Sequence, residues 1–281
     1  MSDSPGAGRS RTGSWVSQPA ARPSAFGQLL RRWRRARGWS QLELGLEAQV
    51  PQRHVSFLET GRARPGESMV LRLGHALDLP LSERNGMLAA AGFAPAFDTA
   101  ASASLERGFF QSAVREMLDA HAPYPALALN GWWDVTQRNT PAARLLTEES
   151  SNLVDAIFEP GPFRARVLNW AQVARASFAR LSREAREHPS DARLQSLAGR
   201  AAGRMAEAGI ALFEEPGASD AESIAVCPQI RVGPHTVRLL TMVARFASVR
   251  DAALEEARVE LLFPADAESA TRLRSLAGSL P

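Results

Sequence analysis

The sequence is poor in residues that carry metal and thiol chemistry. It contains one cysteine, Cys227, and five histidines that stand apart from one another. A single cysteine excludes a disulfide within the chain and a thiolate zinc site, so we expect Cys227 to be a buried structural thiol. The histidines lack metal-ligand spacing, and neither a nucleophile elbow nor a phosphate-binding glycine loop is present. We therefore expect no metal, no cofactor and no enzyme activity.

Lysine and long apolar runs are also missing. Without a run of about eighteen apolar residues or a signal-peptide core, we expect a cytoplasmic protein that does not enter the membrane. All 33 basic residues are arginine, and the net charge is +3. Positions 1–75 hold twelve arginines and five acidic residues, a net charge of +7 that leaves −4 for the remainder. This asymmetry predicts a nucleic-acid-binding end joined to a mildly acidic module.

The basic end starts with a tail and a helix. Residues 1–24 are rich in Ser, Gly, Pro, Ala and Arg, and we expect them to be disordered. A helix is predicted from Phe26 to Arg37, with apolar residues on one face and arginines around the other, where they can neutralise phosphates. These arginines are Arg31, Arg32, Arg34, Arg35 and Arg37.

Two short helices joined by a tight turn are predicted in residues 39–60. Ser40 can cap the first helix, because its hydroxyl can accept a bond from an unpaired backbone N–H group. Pro51 is suited to open the second helix, from Gln52 to Glu59, and Gly61 can end it with a left-handed residue. This is the pattern of a DNA-reading motif.

Residues 26–79 resemble the helix-turn-helix of the XRE (phage-repressor-like) family. The matching motifs are Arg37-Gly-Trp-Ser-Gln41, Leu58-Glu-Thr-Gly-Arg62 and Leu71-Arg-Leu-Gly-His-Ala-Leu77. Two positions depart from the family pattern. Gln49 stands where glycine is usual, so a left-handed backbone there would be strained, and Leu42 stands where a polar residue is usual.

Six residues are predicted to contact double-stranded DNA: Gln41, Gln52, Arg53, Ser56, Phe57 and Arg64. With the second helix in the major groove, Gln52 can pair with adenine, Arg53 can fork onto guanine and Phe57 can touch a thymine methyl group. The resemblance implies that Gln41 holds a phosphate, and the remaining two are candidates for backbone contact. Because one reading helix covers few base pairs, we expect a homodimer that places two such helices about 34 Å apart.

A fourth helix is predicted from Ser68 to Asp78. A fifth helix is predicted to begin after Ser82, its cap, and to end at about Ala91. Residues 94–104 read as a linker. Leu105 to His121 is helical by pattern, with an apolar stripe that could pack within the chain or on a partner. The predicted division is a tail at 1–24, an all-α five-helix DNA-binding domain at 25–93, a linker and connecting helix at 94–122, and a second domain at 123–281.

The second domain alternates strand and helix patterns. Strands are predicted at 126–129 and 132–138, with Asn130-Gly131 as a type I′ turn between them. A helical insertion at 140–212 opens with Thr140 as cap, and later strands are predicted near 224–232, 236–244 and 258–263 with a turn at 233–235. These elements predict an α+β domain in which helices gather on one face of an antiparallel sheet.

Residues 123–143 read Pro-Tyr-Pro-Ala-Leu-Ala-Leu-Asn-Gly-Trp-Trp-Asp-Val-Thr-Gln-Arg-Asn-Thr-Pro-Ala-Ala. This stretch resembles the start of the MmyB-like ligand-binding domain, a PAS-like fold found behind XRE helix-turn-helix domains. The similarity continues through Phe158-Glu-Pro160, 169–187, 230–237 and 258–264. It implies a transcription regulator that senses a fatty-acid-like ligand.

A ligand of this kind is expected between the sheet and the helical insertion. The candidate lining residues are Leu127, Leu129, Trp133, Val135, Phe158, Trp170, Phe178, Leu239 and Met242. All of them also suit an ordinary filled core. Arg166 or Arg238 could hold a carboxylate head group.

Two other functions remain open from the sequence. PAS-like domains can hold flavin or haem, so a cofactor-bearing sensor or an enzyme is one alternative. An antitoxin-like or adaptor protein whose sheet binds another protein is the second. A visible absorption spectrum tests the first, and co-purification of a stoichiometric partner tests the second.

Overall fold

The computed structural model describes residues 23–97, 104–146, 151–211, 226–246 and 251–278. Most of the predicted tail and of the predicted linker lies outside these ranges. Within them, five helices lie between residues 25 and 91, and a five-stranded antiparallel sheet with further helices follows, which confirms an all-α N-terminal region followed by an α+β domain. By its internal contacts the chain divides into two compact units, Met1–Leu77 and Asp78–Pro281.

The described part of the first unit contains α1 Ala25–Ala36, α2 Gln41–Glu47, α3 Gln52–Glu59 and α4 Glu67–Ala76. Local capping sets where α2 and α3 begin and end. Ser40 and Glu43 form a reciprocal capping box at the start of α2. Pro51 precedes α3, and the left-handed Gly61 follows it, as predicted.

The second unit begins with α5 Leu81–Ala91, where one predicted cap is wrong. Pro80 occupies the N-cap position of α5, so Ser82 lies inside the helix instead of capping it. The left-handed Gly92 ends the helix, as predicted. The connecting helix, α6 Ser104–Ala120, follows close to its predicted bounds.

The sheet of the second unit has the strand order β2-β1-β5-β4-β3, and all neighbouring strands are antiparallel. The strands are β1 Ala126–Leu129, β2 Val135–Arg138, β3 Gln229–Val232, β4 His235–Arg245 and β5 Arg258–Pro264. Gly233, with a φ of 58°, lies in the predicted turn between β3 and β4. Because β1 and β4 both pair with β5, the last strand lies at the centre of the sheet.

The first hairpin does not have the predicted two-residue turn. The side chain of Asn130 accepts hydrogen bonds from the backbone N–H groups of Trp132 and Asp134, which closes a longer loop. β2 therefore starts at Val135 instead of at 132. Trp133 lies inside this loop with a left-handed φ of 66°.

The helices after the hairpin are α7 Thr140–Leu145, α8 Leu153–Phe158, α9 Trp170–Glu187, α10 Ala192–Glu207, α11 Ala252–Glu256 and α12 Ala267–Gly278. The N-cap of α7 is Asn139, not Thr140 as predicted. The expectation that helices gather on one face of the sheet is also wrong. The insertion packs against Leu127 and Leu129 of β1, whereas α6 packs on the opposite face, against Ala126 and Ala128.

Candidate nucleic-acid interface and ligand cavity

Helix α3 has one buried face and one accessible face. The buried residues are Val55, Leu58 and Glu59. On the accessible side Gln52 and Arg53 are exposed, and Ser56 and Phe57 are partly buried one turn later. The Arg53 guanidinium lies 5.1 Å from the centre of the Phe57 ring, a cation–π contact that orients the arginine. Arg64 is exposed in the loop that follows.

A buried ion pair connects α1 to the end of α3. Arg34 donates two hydrogen bonds to the Glu59 carboxylate, at 2.6 and 3.0 Å, and a third to the Trp39 carbonyl at 2.6 Å. The hydrogen bond with Glu59 outweighs burial and raises the pKa of Arg34. Arg34 is thus an internal residue, which corrects the expectation that it neutralises phosphate. Gln41, predicted to hold a phosphate, donates a hydrogen bond to Glu59 at 2.9 Å.

The turn between α2 and α3 depends on two backbone features. A Cβ atom on Gly45 would lie 2.6 Å from the Val50 carbonyl oxygen, so only glycine allows this close approach. Gln49 has a φ of 54°, which is the left-handed conformation expected at a position where the family usually has glycine. Leu42, the other unusual position, is 51% exposed on α2.

A cavity of about 190 Å³ lies in the second unit, between the sheet and the helical insertion. Its apolar wall includes Leu127, Leu145, Leu153, Ile157, Phe163, Val167, Val173, Ile230 and Leu262. The volume is comparable with the roughly 150 Å³ of an engineered apolar cavity that binds benzene. A short chain or a single ring therefore fits the cavity as it stands.

The predicted lining residues fall into different environments. Leu127 lines the cavity. Leu129, Trp133, Phe158 and Leu239 are part of the filled core, and Val135, Trp170 and Phe178 pack against it. Met242 is 54% exposed, because it follows Thr241 on β4 and successive side chains of a strand point to opposite faces. Met242 therefore lies outside the cavity.

The cavity has a polar end that the sequence interpretation missed. Arg180 of α9 and Glu260 of β5 line it together with the hydroxyl residues Ser177 and Thr241. Nη2 of Arg180 donates to Oε1 of Glu260 at 2.5 Å. The signal in the sequence was Glu260 itself, a charged residue inside the apolar strand β5.

Behind this end, two guanidinium groups contact the indole ring of Trp133. Arg180 is 4.0 Å and Arg258 is 4.5 Å from the ring centre, and the indole N–H donates to Glu184 at 2.7 Å. Arg258 is 1% exposed and lies 3.7 Å from Glu184 and 3.5 Å from Glu260. Burial lowers the pKa of Arg258, although the negative charges of Glu184 and Glu260 act in the opposite direction.

Neither arginine proposed for a carboxylate head group lines the cavity. Arg166 donates to the Leu145 carbonyl, and burial lowers its pKa. Arg238 is half exposed on β4 and lies 3.7 Å from Asp266. The structure instead brings Arg180 to the cavity, with its charge already compensated by Glu260.

Two families of known proteins match the sequence. Residues 25–86 match a helix-turn-helix domain, and residues 110–276 match the MmyB-like transcription regulator ligand binding domain. No curated protein matches the chain. Among the described residues, no helix is long and apolar enough to cross a membrane, and no group of three or more His, Cys, Asp or Glu side chains is arranged to hold a metal ion.

Proposed function

The chain belongs to the MmyB-like transcription regulator family, with a helix-turn-helix domain before its ligand-binding domain, and from this premise we propose that it reads a specific DNA sequence and senses an apolar, fatty-acid-like molecule. The accessible face of α3 supports DNA reading most directly. A buried ion pair anchors this helix, while Gln52 and Arg53 stay exposed at its N-terminal end. Because DNA is the target, we also propose a cytoplasmic location.

Selection of bound DNA from a random pool tests sequence reading. On the selected site, Arg53→Ala should cost about 1–3 kcal/mol, roughly 5- to 150-fold in affinity, and should relax specificity at one position. Arg64→Ala is the matched control, because a phosphate contact should weaken binding equally on all sequences. If Arg53→Ala weakened binding equally on all DNA sequences, Arg53 would not be a residue that reads bases.

We propose that the protein binds DNA as a homodimer, since two α3 helices about 34 Å apart would read successive turns of the major groove. A palindromic selected site would support this arrangement. Sedimentation of the protein, free and on DNA, measures the same property. A monomer in both states at micromolar concentration would contradict it.

The cavity between sheet and insertion supports ligand sensing. If the ligand binds the DNA-binding conformation and the alternative conformation with free energies that differ by about 1.4 kcal/mol, ligand binding changes the DNA affinity tenfold. Extraction of the purified protein, followed by thermal-shift and DNA titrations with fatty acids and neutral acyl compounds, tests the proposal. Absence of any bound molecule, thermal shift or change in the DNA-binding curve would refute it.

A further inference from the structure

The polar end of the cavity is ionic but already electrically neutral. Arg180 and Glu260 face the cavity as a hydrogen-bonded pair. Behind them, Arg258 and Glu184 supply one further charge of each sign. A further cation, Arg245, is 51% exposed and pairs with Glu184 at 3.3 Å from the surface. The buried cluster therefore contains two positive and two negative charges.

A carboxylate that entered the cavity would disturb this balance. Its negative charge would lie beside Glu260, whose side chain is only 7% exposed, and would compete for the same guanidinium group of Arg180. Burial of an unbalanced charge is unfavourable, and like charges in a shared site repel each other. The arginine at the cavity is thus a poor partner for a free acid, although an isolated arginine would be a good one.

The same end offers hydrogen bonds to an uncharged group. Ser177 and Thr241 bring hydroxyl groups, which can both donate and accept. An alcohol, ketone, ester or amide can use such groups without adding charge.

We propose that the cavity takes an apolar molecule with a neutral hydrogen-bonding head group, such as an acyl ester or a fatty alcohol, and discriminates against the free carboxylate. This inference rests on the proposed ligand-sensing function. Glu260 is the residue that sets the discrimination, because it supplies the repulsion and occupies Arg180.

Isothermal titration of the full-length protein with decanol, methyl decanoate and decanoate tests the inference. In the unsubstituted protein, the two neutral compounds should bind at least tenfold more tightly than decanoate. Glu260→Gln removes the negative charge, so the preference for neutral compounds should fall at least tenfold. Glu268→Gln, which removes an exposed carboxylate from α12, is the matched control and should leave the preference unchanged.

Thr241→Val gives a second measurement that does not alter buried charge. It should weaken decanol binding several-fold and leave decanoate binding unchanged. If decanoate binds as tightly as decanol, or if Glu260→Gln leaves the preference unaltered, the inference is overturned while ligand sensing stands. If none of the three compounds binds, the ligand-sensing proposal itself is overturned for this chain-length class and the inference with it.

Discussion

Removal of Arg34 should destabilise the packing of α3 without changing Gln52 and Arg53, the side chains that we propose contact DNA. Glu59 is 3% exposed at the end of α3, and Arg34 is the cation that compensates it. In Arg34→Met, the Gln41 amide would be the remaining hydrogen-bond donor to that carboxylate among the described side chains. The variant would also lose the hydrogen bond to the Trp39 carbonyl.

Loss of one partner from a buried ion pair typically costs about 3–5 kcal/mol, because the other charge stays buried without compensation. We expect about 3–4 kcal/mol for Arg34→Met, since Gln41 still donates one hydrogen bond to Glu59. The double variant Arg34→Met with Glu59→Leu should recover most of this loss. A residual cost of about 1 kcal/mol should remain for the bond to Trp39.

Hydrogen exchange measured by mass spectrometry on the full-length protein reads each unit separately. Protection of amides in α1 and α3 should fall more than a hundredfold in Arg34→Met and should largely return in the double variant. Arg35→Met replaces an exposed neighbour on the same helix and should cost less than about 0.5 kcal/mol. A loss below about 1 kcal/mol in Arg34→Met, or no recovery in the double variant, would refute the reasoning.

Three further predictions concern α2 and the turn after it. Gly45→Ala should lower the free energy of unfolding by about 2 kcal/mol, because its Cβ would collide with the Val50 carbonyl; an unchanged melting temperature would contradict this. Gln49→Gly should raise the free energy of unfolding by about 0.5–1 kcal/mol, because glycine adopts the left-handed backbone without strain. An unchanged or lower value in denaturant unfolding would contradict this. Hydrogen bonds from the backbone and side chain of Ser40 lower the pKa of Glu43 below its ordinary 4.5, so the stability they contribute is present above about pH 4.5 and is lost as pH falls through the folded-state pKa. Thermal melts of Glu43→Gln at acidic pH should therefore show a weaker pH dependence than the parent, and an equal one would count against the capping box.

The sequence by itself determined most of the first unit, because its signals are local. Ser40, Pro51 and Gly61 act on backbone groups within a few residues, and the bounds of α3 are those predicted. The accessible face of α3 follows from the same local pattern, since Gln52 and Arg53 are exposed while Val55 and Leu58 are buried on a helix of known period.

Only the tertiary structure decided the arrangement of the second unit. The Asn130-Gly131 turn signal was overridden by the Asn130 side chain, which bonds beyond the expected turn. Apolar residues of the core and of the cavity wall have the same periodicity, so the pattern could not tell Leu127 from Leu129. The charge balance at the cavity depends on the pairing of Arg180 of α9 with Glu260 of β5, residues eighty positions apart in the sequence that meet only in the folded chain. Glu260 in an apolar strand is the only local sign of this pair, and the sequence pattern does not indicate which cation it meets, so only the tertiary structure shows the charge balance on which the proposed specificity rests.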